Sequence, residues 1–320
     1  MSAFYGAPFA EFTNIRSFVF RNAVANAAPV EDLPFATRLS RTTVPRKPGA
    51  ILPPVDSPAI AFRDLTRCFG QFTAVDHITL QVARGQFFGF LGPNGAGKST
   101  TIKMLTGLLA PTSGSIEILG IDFAAHPLEV KRQIGVVPEG LALFGRLTAS
   151  EYLRFVGRMY GLDRDTTNRR TAELLDFMNL AGEPKKLVTD FSHGMQKKLA
   201  LAAAVIHGPK VLFLDEPFEG VDAIAAGSLK AMLQRMIDRG ATIFLTSHVL
   251  EIVERLCSHV AIIHQGRMVA NGSLDELRAG IALAGDDANE KLTLEEIFLR
   301  IVGGSAEANE AQLQELSWLA

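Results

Sequence analysis

The stretch Gly92-Pro-Asn-Gly-Ala-Gly-Lys-Ser99 fits the pattern G-x-x-x-x-G-K-[ST], which is typical of a phosphate-binding loop. Its three glycines lack a Cβ atom, so the backbone can turn tightly and bring its N–H groups close to an anion. The ammonium group of Lys98 can reach the β- and γ-phosphates of a nucleotide, and the hydroxyl of Ser99 can ligate Mg²⁺. The pattern therefore predicts a phosphate site, unless it is a glycine turn that matches by chance.

The segments on either side of this loop supply the context that the prediction needs. Residues 86–91 are mostly apolar and indicate a buried strand, while residues 99–105 have the apolar spacing of a helix. A helix that begins at the loop would point its N-terminus, with its partial positive charge, at the phosphates. Because strand, loop and helix follow in this order, the sequence favours a phosphate site over a chance match.

Length and composition exclude several classes of protein. The 320 residues can form one large domain or two, and 48% hydrophobic with 21% charged residues is an ordinary globular balance. A net charge of −2 gives no overall attraction to nucleic acid or to anionic lipid. The two cysteines, Cys68 and Cys257, are too few for a disulfide framework or a cysteine zinc site. No run approaches the roughly 18 apolar residues that a membrane span requires.

The character of the sequence changes near residue 57. Residues 1–57 contain many prolines and no sustained apolar period, so we expect a poorly ordered N-terminal extension. From Ala59 onward, short apolar runs alternate with helical patterns, and residues 148–190 are typical of helices. This alternation predicts an α/β fold with a mostly parallel sheet that is covered on both faces. The predicted strands are residues 59–62, 78–82, 86–91, 114–120, 134–137, 211–214, 242–245 and 260–263.

Two carboxylates directly follow the apolar run at residues 211–214. Asp215 can hold Mg²⁺, directly or through water, and Glu216 is then placed to orient or deprotonate an attacking water. His248 follows the next apolar strand, so it would lie at the same carboxyl edge of the sheet, where ligands bind in open α/β folds. We expect His248 to contact the γ-phosphate, although a lone histidine is more often structural.

A second candidate anion site begins at Ser192. This residue precedes a segment of helix-forming composition and is a suitable N-cap. The N-terminus of a helix can bind an anion. By itself, however, the segment is equally consistent with an ordinary capped helix.

Taken in order, these motifs resemble the ATP-binding subunit of an ATP-binding cassette (ABC) transporter over about residues 59–280. The resemblance assigns Walker A to residues 92–100, the signature to 191–195, Walker B to 211–216, the D-loop to 219–222 and the switch histidine to His248. It implies a P-loop NTPase fold with an N-terminal antiparallel β subdomain and an inserted helical subdomain at about residues 140–200. The implied domains are the extension at 1–57, the ATP-binding domain at 58–282 and a C-terminal helical tail at 283–320.

The resemblance also implies ATP and Mg²⁺ as cofactors and supplies a set of site residues. The aromatic that stacks on adenine in the family matches Phe69. The other residues expected to bind nucleotide are Gly92, Asn94, Gly95, Gly97, Lys98, Ser99, Thr100, Ser192, Gly194 and Asp222. The expected catalytic residues are Lys98, Glu216 and His248, and the expected metal ligands are Ser99, Glu139 and Asp215.

Four positions depart from the common pattern of the family. Glu139 stands where Gln is usual, which adds a negative charge near the metal. In the signature, His193 replaces Gly and Met195 replaces Gln, and in the D-loop Ala223 replaces a common Pro. Because none of these changes removes a phosphate or metal contact, we expect an active ATPase.

The segment from Leu294 to Leu299 resembles the L-E-x-x-F sequence that ends many bacterial drug-, sodium- and polysaccharide-export ATPase subunits, although it also fits an ordinary amphipathic helix. The implied function is that of an ATPase subunit that powers export through a separate transmembrane permease. It would lie as a peripheral protein on the cytoplasmic face of the membrane. The implied partner is a second ATP-binding subunit, in a head-to-tail homodimer whose facing Ser192 closes the γ-phosphate off from water. No nucleic-acid partner is expected.

Two other functions are open at this point. One is a soluble ABC ATPase that acts on ribosomes or DNA, but such proteins usually carry two cassettes or a long coiled-coil insertion, and this chain has no basic stripe. The other is a binding or regulatory protein without catalysis, which the intact Lys98, Asp215, Glu216 and His248 do not favour. The transported substrate cannot be read from the sequence, because it would contact the membrane subunit.

Overall fold

The computed structural model of the chain describes residues 57–282 and 292–302. The extension predicted for residues 1–57 therefore lies outside the described residues, apart from its last residue. The same holds for residues 283–291 and 303–320 of the predicted C-terminal tail.

A six-stranded sheet carries the loop at residues 92–97. Its strand order is β10-β9-β3-β8-β7-β6. Five strands run parallel, and β10 closes one edge as an antiparallel strand. The strands are β3 (Phe87–Leu91), β6 (Ile134–Val137), β7 (Val211–Asp215), β8 (Thr242–Thr246), β9 (His259–His264) and β10 (Arg267–Ser273). All residues of β3, β7 and β8 are buried, which explains their uninterrupted apolar sequences. The predicted, mostly parallel sheet is confirmed.

A second sheet of four antiparallel strands has the order β2-β1-β4-β5. Its strands are β1 (Ile60–Phe69), β2 (Phe72–Val82), β4 (Ser113–Ile118) and β5 (Ile121–Asp122). Strands β1 and β2 are longer than their apolar runs predicted, because pairing continues through polar residues after register shifts near Leu65. Together with the six-stranded sheet, this sheet encloses a core that contains Phe88, Phe213 and Phe244.

Nine helices and one 3₁₀ turn, Val188–Asp190, are present in the described residues. The helices are α1 (Lys98–Leu105), α2 (Pro127–Gln133), α3 (Ala149–Met159), α4 (Arg164–Phe177), α5 (His193–Val205), α6 (Ala223–Asp238), α7 (Leu250–Leu256), α8 (Leu274–Ala282) and α9 (Leu294–Val302). Side-chain caps fix several helix starts, of which three flank the helical and D-loop segments. Thr148 forms a capping box with Glu151 at α3, Asp163 caps α4 and Asp222 caps α6.

A second core covers the other face of the six-stranded sheet. It joins Leu212 and Leu245 of the sheet with Leu201 of α5 and Leu233 of α6. The segment with the L-E-x-x-F sequence forms α9, and its first residue, Leu294, is completely buried in this core. Within the described residues, no helix combines the length and apolarity that crossing a membrane would require.

Candidate nucleotide site

The candidate site lies where three neighbouring parallel strands end. Strand β8 lies between β3 and β7. The loop at residues 92–97 follows β3, Asp215 and Glu216 lie at the end of β7, and His248 follows β8. Because the carboxyl ends of parallel strands meet at one edge, the sheet order brings these predicted groups together.

Two glycines of the loop occupy positions that no side chain could fill. A Cβ at Gly92 would lie 2.3 Å from the carbonyl oxygen of Ile263. Gly97 has a left-handed φ of +108°, and a Cβ there would lie 2.5 Å from the carbonyl oxygen of Ala74. The loop therefore needs glycine at both positions, and it leaves a concave backbone surface at the start of α1 that suits an anion.

A single glycine of the β9–β10 turn ties this loop to the antiparallel sheet. The N–H of Gly266 donates to the carbonyl oxygen of Ala96 at 3.0 Å, and its own carbonyl accepts from the N–H of Asp76 at 2.8 Å. The guanidinium of Arg267 adds an ion pair to Asp76 at 2.7 Å. The position of the loop thus depends on both sheets.

Lys98 points back over the loop. Only 8% exposed, it donates from Nζ to the carbonyl oxygens of Gly92 at 2.7 Å and Pro93 at 3.1 Å. Burial lowers the pKa of its ammonium group, while the charges of Glu216, Asp215 and Glu139 act in the opposite direction. A buried cation with three acidic neighbours is thus present where the phosphates of a nucleotide would lie.

The three predicted metal ligands supply oxygen atoms only. The hydroxyl of Ser99 donates to Oε2 of Glu139 at 3.2 Å. Asp215 is 3% exposed, and its carboxylate accepts a short hydrogen bond from the hydroxyl of Thr246, its partner residue on β8. In the part of the chain that the structure describes, no cluster of three or more His, Cys, Asp or Glu could hold a metal alone. This donor set fits Mg²⁺, which commonly combines one or two carboxylates with phosphate oxygens and water.

Glu216 and His248 form a pair at the edge of the sheet. Nδ1 of His248 lies 3.0 Å from Oε2 of Glu216, and the backbone N–H of His248 donates to the same oxygen at 3.3 Å. Glu216 has a left-handed φ of +50°, which is uncommon for a residue with a side chain. Its backbone is held by the carbonyl oxygen of Thr246 at 3.2 Å and by Nζ of Lys197 at 2.6 Å. The backbone of Glu216 is thus fixed by neighbours on two other elements, and its carboxylate by His248.

The remaining Walker A residues and Phe69 make fewer contacts. Asn94 and Gly95 are exposed at the tip of the loop, and Thr100 is half-buried in the first turn of α1. Phe69, at the end of β1, is 47% exposed, with the guanidinium carbon of Arg67 4.5 Å from its ring centroid. Among the described residues, no hydrogen bond or ring contact joins Phe69 to the loop. Its role with adenine stays a prediction.

The signature and D-loop residues form a separate group. Ser192 is the N-cap of α5, as predicted, and its hydroxyl accepts from the N–H of Met195 at 3.3 Å. Gly220 has a φ of +70°, and a Cβ on it would lie 2.9 Å from Cδ2 of His193. The departure at His193 therefore packs against a D-loop glycine.

Close backbone approach also holds this group together. A Cβ at Gly194 would lie 3.1 Å from the carbonyl oxygen of Gly220. Asp222 accepts from the N–H of Ala225 at 2.9 Å and lies 3.8 Å from Nζ of Lys198. Within the described residues of one chain, no hydrogen bond or ion pair connects Ser192 or Gly194 to the loop at residues 92–97.

Sequence reasoning missed several residues that shape the site. Lys197 is 2% exposed and bonds the carbonyl of Glu216, but in the sequence it looks like any lysine of a polar helix. Thr246 could have been found, because a hydroxyl that ends the strand beside Asp215 is a natural partner for its carboxylate. The Gly266 bridge leaves no local signal, since its partners are far away in sequence.

Comparison with known proteins agrees with this geometry. The sequence profile of the ABC transporter family matches residues 75–219. The linearmycin resistance ATP-binding protein LnrL of Bacillus subtilis is 36% identical over 256 residues, which cover 79% of this chain and 81% of that protein. The chain belongs to the ABC transporter ATP-binding proteins. Another relative of this cassette is the bacitracin transport ATP-binding protein BcrA of Bacillus licheniformis. It is 40% identical over 223 residues, which cover 69% of this chain and 72% of BcrA.

Not every relative is spanned so completely by the cassette. It covers only 44% of YbhF of Escherichia coli, which is named as a probable multidrug ABC transporter ATP-binding protein, with 34% identity over 258 residues or 79% of this chain. Among solved structures, an ATP-binding subunit of an ABC transporter is 33% identical with a TM-score of 0.70, covering 76% of this chain and 99% of that one. A dimeric, post-hydrolysis ATP-binding cassette bound to ADP and Pi is 21% identical with a TM-score of 0.62, covering 67% and 98% respectively, and shows the shared fold.

Proposed function

We propose that this cassette binds and hydrolyses ATP and thereby powers export through a separate membrane permease. The observation that carries the proposal is the Glu216–His248 pair, 3.0 Å apart, at the sheet edge where a glycine loop holds the buried Lys98. A carboxylate fixed in this way can accept a proton from water, and a cationic loop can bind the phosphates that the water attacks.

Each group has a part in this proposed reaction. The loop N–H groups and Lys98 bind the β- and γ-phosphates. Ser99, Glu139 and Asp215 would hold Mg²⁺, which offsets phosphate charge when it is bound. As water attacks the γ-phosphorus, the bond to the leaving ADP oxygen breaks and the proton of the water passes to Glu216. His248, whose backbone N–H donates to Glu216, would orient that carboxylate, and its ring N–H would donate to the γ-phosphate.

The separation of the two groups of site residues supports a dimer. Among the described residues of one chain, no hydrogen bond or ion pair joins Ser192 or Gly194 to the loop at residues 92–97, although the resemblance gives both groups a part in binding nucleotide. A second copy in head-to-tail orientation would bring its α5 N-terminus to the open side of the γ-phosphate. Closure of that kind excludes water from the reacting bond.

The names of the relatives support the link to transport. The family members reported above are named for linearmycin resistance and bacitracin transport, and a relative from Cupriavidus metallidurans, 38% identical over 218 residues, is named as a Nod factor export ATP-binding protein. We therefore place this cassette on the cytoplasmic face of a membrane, bound to a permease, and favour export. None of these names points to a ribosome or DNA function.

Replacing Glu216 with Gln tests the proposal. Glu216→Gln should keep Mg²⁺-dependent ATP binding, lose about 10²–10⁴-fold in turnover and accumulate as an ATP-bound dimer in size measurements. Glu251→Gln is a matched control, because Glu251 lies on the exposed surface of α7 and pairs with Arg255. Wild-type turnover in Glu216→Gln would show that another group is the base, and a monomer at saturating ATP and Mg²⁺ would contradict the homodimer.

A further inference from the structure

A cleft between α3 and α4 gathers three arginines. Its volume is about 450 Å³, and it is lined by Arg154, Arg158, Arg164, Thr167 and Asn168. The lining residues include no acid. This cleft lies on different elements from the candidate nucleotide site, and none of its residues has a part in the proposed hydrolysis.

Within the described part of the chain, no ion pair within 4 Å joins a carboxylate to Arg154, Arg158 or Arg164, although the charge of Glu151 acts on Arg154. The carboxylate of Glu151 is taken up by the backbone N–H and hydroxyl of Thr148, and that of Asp163 by the N–H of Thr166. Arg158 donates to the carbonyl oxygen of Leu162 at 2.6 Å, which leaves its charge uncompensated. Like charges gathered in one cleft repel each other, and an anion would relieve that repulsion.

An unpartnered hydroxyl lies beside the same cleft. A neighbouring cavity of about 260 Å³ shares Arg154 and Asn168 and is also lined by Thr171 and by Glu183, whose carboxylate lies 3.6 Å from Nζ of Lys186. Thr171 is 1% exposed, and among the described residues its hydroxyl oxygen has no hydrogen-bond partner. One turn earlier, the hydroxyl of Thr167 donates to the carbonyl oxygen of Asp163 at 2.6 Å, so the helix could have offered Thr171 a similar bond. Leaving a buried polar group without a partner destabilises the fold, so the free hydroxyl points to a missing ligand atom.

We propose that the α3–α4 cleft binds a phosphate group at a site independent of the nucleotide site. Arginine forks match phosphate oxygens in pairs, and the amide of Asn168 and the hydroxyl of Thr171 complete a set of neutral donors. Asn168 and Thr171 are three residues apart on α4 and therefore share one face of the helix. The ligand is a phosphate ester, carried either by the headgroup of an anionic lipid or by a small soluble compound.

Titration of the full chain with inorganic pyrophosphate tests the site directly. In a Lys98→Ala background without Mg²⁺, which removes the main cation of the nucleotide site, calorimetry should show one pyrophosphate bound per chain. The double change Arg154→Ala and Arg164→Ala should weaken this binding by about 10- to 100-fold, since hydrogen bonds to charged groups are the strong ones. Thr171→Val, which keeps the side-chain shape, should weaken it by about 3- to 10-fold.

The matched control removes two exposed arginines elsewhere. Arg132 on α2 and Arg255 on α7 are both exposed, so Arg132→Ala with Arg255→Ala lowers the net charge equally without touching the cleft. Pyrophosphate affinity should be unchanged in this control. Equal affinity in the Arg154/Arg164 variant and in the control would overturn the proposal, as would no binding to the parent chain. Thr171→Val provides a second reading if the arginine variant folds poorly.

Vesicles distinguish the two sources of the phosphate. The full chain is sedimented with phosphatidylcholine vesicles that contain or lack phosphatidylglycerol. Sedimentation that requires phosphatidylglycerol and is lost with Arg154→Ala and Arg164→Ala supports a lipid headgroup. Pyrophosphate binding without vesicle binding supports a soluble phosphate compound. Vesicle binding that persists in the arginine variant would assign the membrane contact to another surface and count against the lipid form of the proposal.

Discussion

The phosphate loop and the α3–α4 cleft both present cations, but they balance positive charge in opposite ways. Lys98 is buried, and the charges of Glu216, Asp215 and Glu139 offset the effect of burial on its pKa. The α3–α4 cleft gathers three arginines, and its lining contains no acid. A balanced site repels a bare polyphosphate and needs a metal ion to bind it, whereas an unbalanced site attracts an anion without help. The comparison therefore predicts that phosphate binding requires Mg²⁺ at the nucleotide site but not at the α3–α4 cleft.

A half-buried histidine, His207, shows the same contrast. The ring of His207 stacks on Tyr160, which follows α3, with centroids 3.6 Å apart, and one ring nitrogen lies 3.0 Å from the carbonyl oxygen of Ile134. The pKa of His207 is lowered to about 4, chiefly by burial and in smaller part by the charge of Arg170, against the opposing effect of the Ile134 hydrogen bond. At Lys98 the nearby acids oppose the effect of burial on the pKa, whereas at His207 the positive charge of Arg170 adds to that effect.

The largest expected effect separates the two sites completely. Lys98→Ala should weaken ATP binding by about 100-fold or more, because it removes the buried charge that the phosphates contact. Pyrophosphate binding at the α3–α4 cleft should be unaffected by the same change. Titrations with a fluorescent ATP analogue and with pyrophosphate measure the two effects. If Lys98→Ala abolished both, the two sites would not be independent and the comparison would fail.

A smaller effect is expected from Glu139. With Mg²⁺ removed by a chelator, Glu139→Gln should bind ATP about 3- to 10-fold more tightly than wild type, because one repulsion of roughly 1 kcal/mol is gone. With Mg²⁺ present, the variant should retain substantial ATPase activity. Glu129→Gln, an exposed position on α2, is the control. Equal affinities without Mg²⁺ would show that Glu139 is a solvated loop acid that does not influence the phosphates.

The smallest expected effect concerns stability against pH. His207 has a lower pKa in the folded chain than in the unfolded chain, so between about pH 6.5 and 4 the unfolded state binds more protons. The stability that this provides is complete above pH 6.5. It should decline as the pH falls, by up to about 1.4 kcal/mol per pH unit.

Melting curves of His207→Gln measure this contribution, because glutamine can still donate to the carbonyl of Ile134 but cannot titrate. The variant should lose less stability than wild type between pH 7 and 5. His126→Gln, at an exposed position, should follow wild type. Parallel curves for wild type and His207→Gln would mean that Arg170 and burial do not hold the ring neutral.

The sequence predicted best those features that depend on order along the chain. A strand, a glycine loop and a helix in succession determine their own geometry, and parallel strands bring Asp215 and His248 to one edge once their runs are identified. Features that depend on distant residues were not predictable. The bond from Lys197 to Glu216, the bridge at Gly266 and the arginine cleft all require knowledge of which elements pack together. The roles of Phe69 and Ser192 with nucleotide stay predictions, as does the extension at residues 1–57.

The Gly266 turn restricts where the chain can accept insertions. Gln265 and Gly266 both have positive φ values, +49° and +79°, as in a type I′ turn of two residues. Hairpin tips usually tolerate added residues, but here one residue must bond Ala96 and Asp76 at the same time. A longer β9–β10 turn would pull the loop away from one sheet or the other. The turn at Gly240, between α6 and β8, makes no such pair of bonds, and an added Cβ there would meet nothing within 4 Å, so it is the better place for a tag or an inserted domain.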